Sequence, residues 1–228
     1  MSQTSMKGAP RSKEFDDVYF SVADGLAETR FVFLERNDLP ERFLGRNEFT
    51  IFETGFGTGL NFLATWQLFK AHATVGQRLH FISVEKYPLS ALQIQSYLHP
   101  FAHEFPDLLP ALVKGYPDPV SGRHDIAIDD HVRLSLCIGD MNDIIPAVSE
   151  QIDCWFLDGF KPSTNPEMWS PTLFSNMARL SKTGARFSTF TAAGFVKRGL
   201  REVGFEVQKM RGFGTKRDML VGEFRGCE

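Results

Sequence analysis

The sequence predicts an α/β protein built on a doubly wound, mostly parallel sheet. Three observations predict it. From residue 49 onward, short apolar runs alternate with segments of helical periodicity. The first run leads through Glu53-Thr54-Gly55-Phe56-Gly57-Thr58-Gly59 into a helical pattern. Later runs end in acids, Glu85, Asp140 and Asp158, at the carboxyl ends of strands, where open α/β sheets bind their ligands.

In chain order, residues 1–14 are polar and aperiodic and predict a disordered tail. Residues 15–48 carry an acidic-aromatic patch, Phe15-Asp16-Asp17-Val18-Tyr19-Phe20, and an apolar stretch, Phe31-Val32-Phe33-Leu34. Too short for a domain, they predict an N-terminal extension packed on the core. Residues 49–228 form the α/β domain. Strands are predicted at 49–53, 79–85, 131–137, 154–157, 185–191, 205–209 and 218–223. Helices are predicted at 58–70, where Leu60, Leu63, Ala64, Trp66 and Leu68 suit a packed face, and at 90–97, stopped by Pro100. Further helices are expected at 142–148, at 171–180 with Gly184 as a stop, and at 194–203 closed by Gly204. Residues 105–127, rich in Pro, Gly and Asp, predict a long connection. The last two strands follow one another without a helix, so an antiparallel return is expected.

Composition sets limits. An apolar content of 43% over 228 residues is ordinary for a chain that buries a proper core. Phenylalanine (22) far outnumbers tyrosine (4), which predicts an aromatic interior. The net charge of −3 gives no overall polyanion-binding character. Its distribution is uneven: between Arg179 and Arg217 ten basic residues face only Glu202 and Glu206. Cys137, Cys154 and Cys227 lack paired spacing, which fits reduced, buried thiols and a cytoplasmic setting. His99 and His103 have i, i+4 spacing but no third ligand nearby, so no metal site is expected. No long apolar run or signal-peptide core is present, so no membrane partner is expected.

The glycine turn reads GxGxG, not the GxGxxG of dinucleotide sites. Glycine permits positive φ and close approach of a ligand to the backbone. Glu53 beside it would serve a pyrophosphate poorly. It would suit a cationic sulfonium with an amino-acid ammonium, as in S-adenosylmethionine. The candidate cofactor set is Glu53, Gly55, Phe56, Gly57, Gly59, Asn61 and Lys86, with Glu85 for the ribose and Asp140 and Met141 for the adenine. Asp140 is equally a helix N-cap, and both roles can hold at once.

Asp158, within Phe156-Leu157-Asp158-Gly159-Phe160-Lys161-Pro162, is expected to face the same crevice from the fourth strand. Gly159 allows a sharp turn, and Pro162 and Pro166 stiffen the loop beyond. The loop is similar to the Asp/Asn-Pro-Pro-aromatic loop of amino-group methyltransferases, although the residues differ. Full proton transfer from an α-amino-type ammonium to an ordinary Asp would cost about 5.5 kcal/mol. Orientation and charge stabilisation are therefore the expected roles of Asp158. Phe20, Phe160, Lys161, Pro162 and Trp169 are substrate candidates, Phe160 and Trp169 either stacking a base or anchoring the loop.

Five βα steps followed by a hairpin match the Rossmann-like class I S-adenosylmethionine-dependent methyltransferase sheet, with seven strands and an antiparallel last one. At the motifs above, and at Glu28 to Phe33, Asn165-Pro166, Met168-Trp169, Thr189 to Thr191, Ala193 to Val196 and Gly212 to Gly214, the chain resembles a family. It is the methyltransferase half of the bacterial tRNA 5-methylaminomethyl-2-thiouridine biosynthesis enzyme. The resemblance runs in order from about residue 15 to the end. It implies N-methylation of the primary amine of 5-aminomethyl-2-thiouridine at the tRNA wobble position, with Asp158 as the catalytic acid/base. It also implies that Lys197, Arg198 and Arg201 grip the anticodon loop. In many bacteria this half is fused to a FAD-dependent oxidoreductase. FAD is therefore expected only on a separate domain or partner.

Three rival readings stay open. The GxGxG turn with Glu53 counts against a nicotinamide-dependent oxidoreductase. The basic C-terminal third counts against aminopropyl transfer to a small amine on the same fold. Asp158 counts against a non-catalytic tRNA-binding subunit.

Overall fold

The computed structural model describes residues 24–159, 161–215 and 218–226. A short helix α1 (Gly25–Thr29) runs into one π-helical turn (Arg30–Leu34) and two 3₁₀ turns before the sheet begins. The α/β units follow in order: β1 (Glu48–Glu53), α2 (Leu60–His72), β2 (Arg78–Glu85), α3 (Ala91–Leu98), α4 (Leu108–Gly115), β3 (Gly122–Ala127), β4 (Val132–Ile138), α5 (Met141–Ile144), β5 (Ile152–Phe156), α6 (Pro171–Leu180), β6 (Ser181–Thr189), α7 (Gly194–Glu202), β7 (Phe205–Arg211) and β8 (Asp218–Phe224).

The strand order is β3-β4-β2-β1-β5-β6-β8-β7. Strands β4, β2, β1, β5 and β6 are parallel, while β8 is antiparallel to both β6 and β7. The sheet thus has eight strands where seven are predicted. The addition is β3, antiparallel to β4 at the sheet edge, inside the stretch read as a connection. Arg123, Asp125 and Ala127 are exposed and alternate with half-buried His124 and Ile126, so a single apolar side chain carries the inner-face signal. Helix α4 was hidden by Pro110, which stands in its first turn, where a missing N–H costs nothing. Gly184 is no helix stop. It lies inside β6, opposite a register shift in β5 between Ile152 and Cys154.

Alternation along the strands sorts the core into two layers. Phe49 and Ile51 of β1, Leu79 and Phe81 of β2, and Cys154 and Phe156 of β5 face α2 with its Phe62, Leu63 and Phe69. Phe52, Ile82 and Trp155 face the opposite layer, with Leu173 and Met177 of α6 and Val196 and Leu200 of α7. Leu26, Val32, Phe33 and Leu34, preceding the sheet, join the α2 layer. Cys137 and Cys154 are buried free thiols whose pKa values burial pushes up to about 11 and about 12.

A charged anchor closes the amino-terminal end of the sheet. Asp153 of β5, 1% exposed, accepts from Arg46 (2.6 Å), Lys182 (2.7 Å) and the Thr50 N–H (2.9 Å). Arg42 donates to the carbonyls of Asp153 and Gly184 across the same gap. Asp153→Ala removes the acceptor of a buried N–H and leaves two lysine and arginine contacts unmade. A loss of about 2–3 kcal/mol is expected, read as a lowered midpoint in urea unfolding with an unchanged slope.

Candidate active site

The site is assembled by close approach of two strand ends. After β1, the Thr54 N–H donates to the Phe156 carbonyl (3.1 Å) and Thr54 Oγ1 to the Asp158 carbonyl (2.5 Å). A Cβ on Gly55 would lie 3.2 Å from the Cα of Gly159, so the turn after β1 packs directly on the turn after β5. Gly59 caps α2 at φ +80°, where a Cβ would strike the Phe56 ring at 2.8 Å. Only glycine satisfies both constraints there.

Strand parity then decides which acids meet. Glu53, Ser83 and Asp158 continue the rows of residues that face α2, and Glu53 pairs with Ser83 across β1 and β2. In the first turn of α2, Asn61 Nδ2 donates to Glu53 Oε1 (2.8 Å) and to Asp158 Oδ2 (2.7 Å). Thr29 donates its hydroxyl to Asn61 Oδ1 (2.8 Å), and Ser83 donates to Glu53 Oε2 (2.7 Å). The second Asp158 oxygen, Oδ1, accepts from the Gly159 N–H (2.7 Å). Since Asp158 can only accept when ionised, the Asn61 amide has one orientation that satisfies every partner.

Glu53 is fully buried, and among the described residues no cation lies beside it. Burial, and after it the charge of Asp158, hold its carboxyl well above the usual value of 4.5. Glu85, at the end of β2, is raised too by burial, opposed by the backbone N–H groups of Tyr87 and Gly57 that donate to it. Lys86 donates to Asp140 (2.8 Å) and lies 3.7 Å from Glu167; its hydrogen bond to Asp140 raises the lysine and lowers the aspartate. Asp140 also caps α5 through the Asn142 N–H (2.9 Å).

These groups surround a cavity of about 1330 Å³. Gly55, Phe56, Gly57, Asn61, Glu85, Lys86, Asp140, Met141, Asp158, Lys161 and Pro162 all line it. Glu53 does not: the expected direct contact with a ligand is replaced by a link through Asn61, because strand alternation turns its side chain into the α2 layer. Gly59 shapes the turn from behind. Trp169 is 3% exposed and packs in the α6 layer, so of its two readings loop anchoring fits and stacking does not. Lys197, Arg198 and Arg201 stand on α7 outside the lining, and Arg201 donates to the Val207 carbonyl. Phe20 and Phe160 lie outside the described residues.

Much of the basic C-terminal third is engaged internally. Arg179 donates to the carbonyls of Val148 and Ile145, Lys182 pairs with Asp153, Arg186 with Asp38, and Lys209 with Asp218. Other lining residues carry no site role in the sequence analysis, among them Tyr87, and Thr29, Phe190, Phe195 and Phe213 from the segments that carry the resemblance. Phe195 carries a legible signal: it breaks the apolar pattern of α7 one residue before Val196. Among the described residues, no group of three or more His, Cys, Asp or Glu could hold a metal ion.

The cavity can take a nucleoside that carries positive charge. Asp24, Glu28, Glu85, Asp140, Asp158, Glu167 and Asp218 line it against Lys86 and Lys161 among the described residues. A glycine turn in backbone contact with the Asp158 turn, a half-buried Glu85 lining the cavity and this excess of carboxylates fit S-adenosylmethionine.

Comparison with known proteins gives the class. Residues 103–225, more than half of the chain, match the family model of the S-adenosyl-L-methionine-dependent methyltransferases, and the chain belongs to that family. The nicotinamide reading is thereby set aside. Over 219 residues, 95% of its length, the chain is 50% identical to the tRNA 5-methylaminomethyl-2-thiouridine biosynthesis bifunctional protein MnmC of Marinomonas sp., and covers 32% of that protein. It is also 50% identical over 237 residues to the protein of that name from Idiomarina loihiensis, covering 99% of this chain and 38% of the relative. The chain thus spans about a third of the length of these curated relatives. The crystal structure of MNMC2 from Aquifex aeolicus superposes with a TM-score of 0.74 at 23% identity, over 95% of this chain and 67% of that one. At that identity the likeness establishes the fold. No helix among the described residues is long and apolar enough to cross a membrane.

A test of the buried acid follows from linkage. The folded-state pKa of Glu53 lies above its unfolded value, so the folded state holds the extra proton. The stability it contributes is full below 4.5 and is lost as pH rises through the folded value. Glu53→Gln keeps the shape without the titration. Its melting temperature relative to the unmutated protein is expected to climb as pH rises above 4.5, measured by calorimetry across a pH series. A constant difference between the two would show that Glu53 ionises freely in the folded protein.

Proposed function

We propose that this protein methylates the primary amine of 5-aminomethyl-2-thiouridine at the wobble position of tRNA, giving 5-methylaminomethyl-2-thiouridine. The observation that carries the proposal is the placement of Asp158. Its carboxylate is held by Asn61 and the Gly159 N–H at the lip of the glycine turn, inside a cavity rich in acids. The names of the relatives, at 50% identity, supply the substrate.

When bound, S-adenosylmethionine supplies a methyl group on a sulfonium, open to in-line displacement by a nitrogen lone pair. Glu85 would hold the ribose, Asp140 and Met141 the adenine, and the backbone of Gly55 to Gly57 the amino-acid end. Asp158 would orient the acceptor amine, once its ammonium has given a proton to solvent, and stabilise positive charge as it grows on the attacking nitrogen. Thr29, Asn61, Glu53 and Ser83 keep that carboxylate in one rotamer, which is what positioning chemistry demands. The amine itself would come from a FAD-dependent oxidoreductase acting as a domain or partner, in keeping with the word bifunctional in the relatives' names.

The direct test is mass spectrometry of tRNA nucleosides after incubation with labelled S-adenosylmethionine. Conversion of the aminomethyl to the methylaminomethyl nucleoside is expected, and a labelled product at any other nucleoside would redirect the assignment. Asp158→Ala is expected to slow transfer by about 10²–10⁴ while donor affinity, read by calorimetry, survives. Full transfer in that variant would remove Asp158 from the chemistry.

A further inference from the structure

The cavity is larger than one ligand requires. Small-ligand pockets occupy roughly 300–1,000 Å³, and this one measures about 1330 Å³. Asp158 stands between two kinds of lining. On one side are the glycine turn and the residues that follow β2 and β4. On the other, beyond β5 in the strand order, are the segment from Phe190 to Phe195 after β6 and Phe213 between β7 and β8, with Glu28 of α1 also in the lining. None of this second side belongs to the donor-binding strand ends. It combines aromatic rings with carboxylates, the chemistry that receives a flat base bearing a cationic amine.

Phe195 is the distinctive member. It is the second residue of α7, 40% exposed, and it lines the cavity mouth. Val196 and Leu200, four apart, turn the inner face of α7 into the core. Phe195 is therefore off the packed face, and among the described residues it belongs to neither core cluster. Arg198, three residues on, shares its side of the helix and is exposed. A ring at the mouth of the cavity with a cation one turn away suits a nucleobase entering the cavity with its backbone held outside.

We infer that the half of the cavity beyond Asp158 is the acceptor compartment, that the target base stacks on Phe195, and that Arg198 meets the neighbouring phosphate. This rests on the acceptor proposed above. The compartment's acids would draw the aminomethyl ammonium inward, and would repel an acceptor carrying a carboxylate in its place.

The test uses an anticodon stem–loop RNA bearing 5-aminomethyl-2-thiouridine, with S-adenosylhomocysteine present so that no transfer occurs. Binding is read by fluorescence anisotropy across a salt series. Phe195→Ala is expected to weaken RNA binding about tenfold without changing its salt slope. Phe195→Tyr restores it to within about twofold. Arg198→Ala should flatten the salt slope by about one. Affinity for S-adenosylhomocysteine, measured by calorimetry, should be the same in all three. Unchanged RNA binding in Phe195→Ala, with the unmutated protein binding and methylating the RNA, would overturn the stacking platform alone. Equal loss of RNA and S-adenosylhomocysteine affinity would show a general collapse of the cavity and overturn it as well. Failure of the unmutated protein to bind or methylate this RNA would remove both the platform and the acceptor on which it rests.

Discussion

A single side-chain amide organises the centre of this protein. Asn61 offers two N–H groups, and each is taken by a carboxyl from a different strand end. Two carboxylates this close would repel, and burial makes the repulsion stronger. The conflict is resolved by division of state. Glu53, the deeper acid, is pushed toward its neutral form, and Asp158, at the cavity wall, remains the group that faces solvent and ligand. The same amide oxygen accepts from Thr29, so the helix preceding the sheet is tied to the site by the residue that separates the two acids.

That arrangement needs the backbone contact beneath it. A methyl group on Gly55 would meet the Gly159 Cα at 3.2 Å and push the two turns apart, loosening the reach of Asn61 to both carboxyls. Glycine at these turns thus has a second meaning beyond room for a ligand. It sets the separation of strand ends β1 and β5, and through that the geometry of two side chains that are not glycine. Lys86 performs a related task on the far wall. Its ammonium joins Asp140 to Glu167, so the loop after β5 is tethered to the residues that follow β4.

How legible all this was depended on whether the signal was local. Parallel strands, the glycine turn and the acids at strand ends are local patterns, and they stand where periodicity puts them. The orientation of Glu53 was legible but needed one more step: counting by twos from Phe49 and Ile51 places it with the α2 face and opposite Ser83. Strand β3 was not legible, because its alternation is weak: only His124 and Ile126 are half-buried between exposed Arg123, Asp125 and Ala127, and His124 is polar. Helix α4 was masked by a proline at a position that tolerates it. The basic third was legible as charge but not as placement. Charge is a property of the sequence, but Arg179, Lys182 and Arg186 find their acceptors on segments far away along the chain, which only the fold brings near.

That last point sharpens the electrostatics of the site. With Lys182, Arg186 and Lys209 paired to carboxylates, part of that positive charge is neutralised, while the cavity keeps its surplus of acids. A polyanion therefore cannot be drawn in whole. For the acceptor proposed, the field sorts one nucleotide into parts: the cationic amine is favoured inside, and the phosphates are favoured outside, near the exposed face of α7. Such sorting demands that the base be turned out of its stack before it enters, and the unstacking energy must be returned by a new flat contact at the mouth. An exposed ring beside the cavity, carried by a rigid helix whose inner face is fixed by Val196 and Leu200, meets that demand without any movement of the sheet.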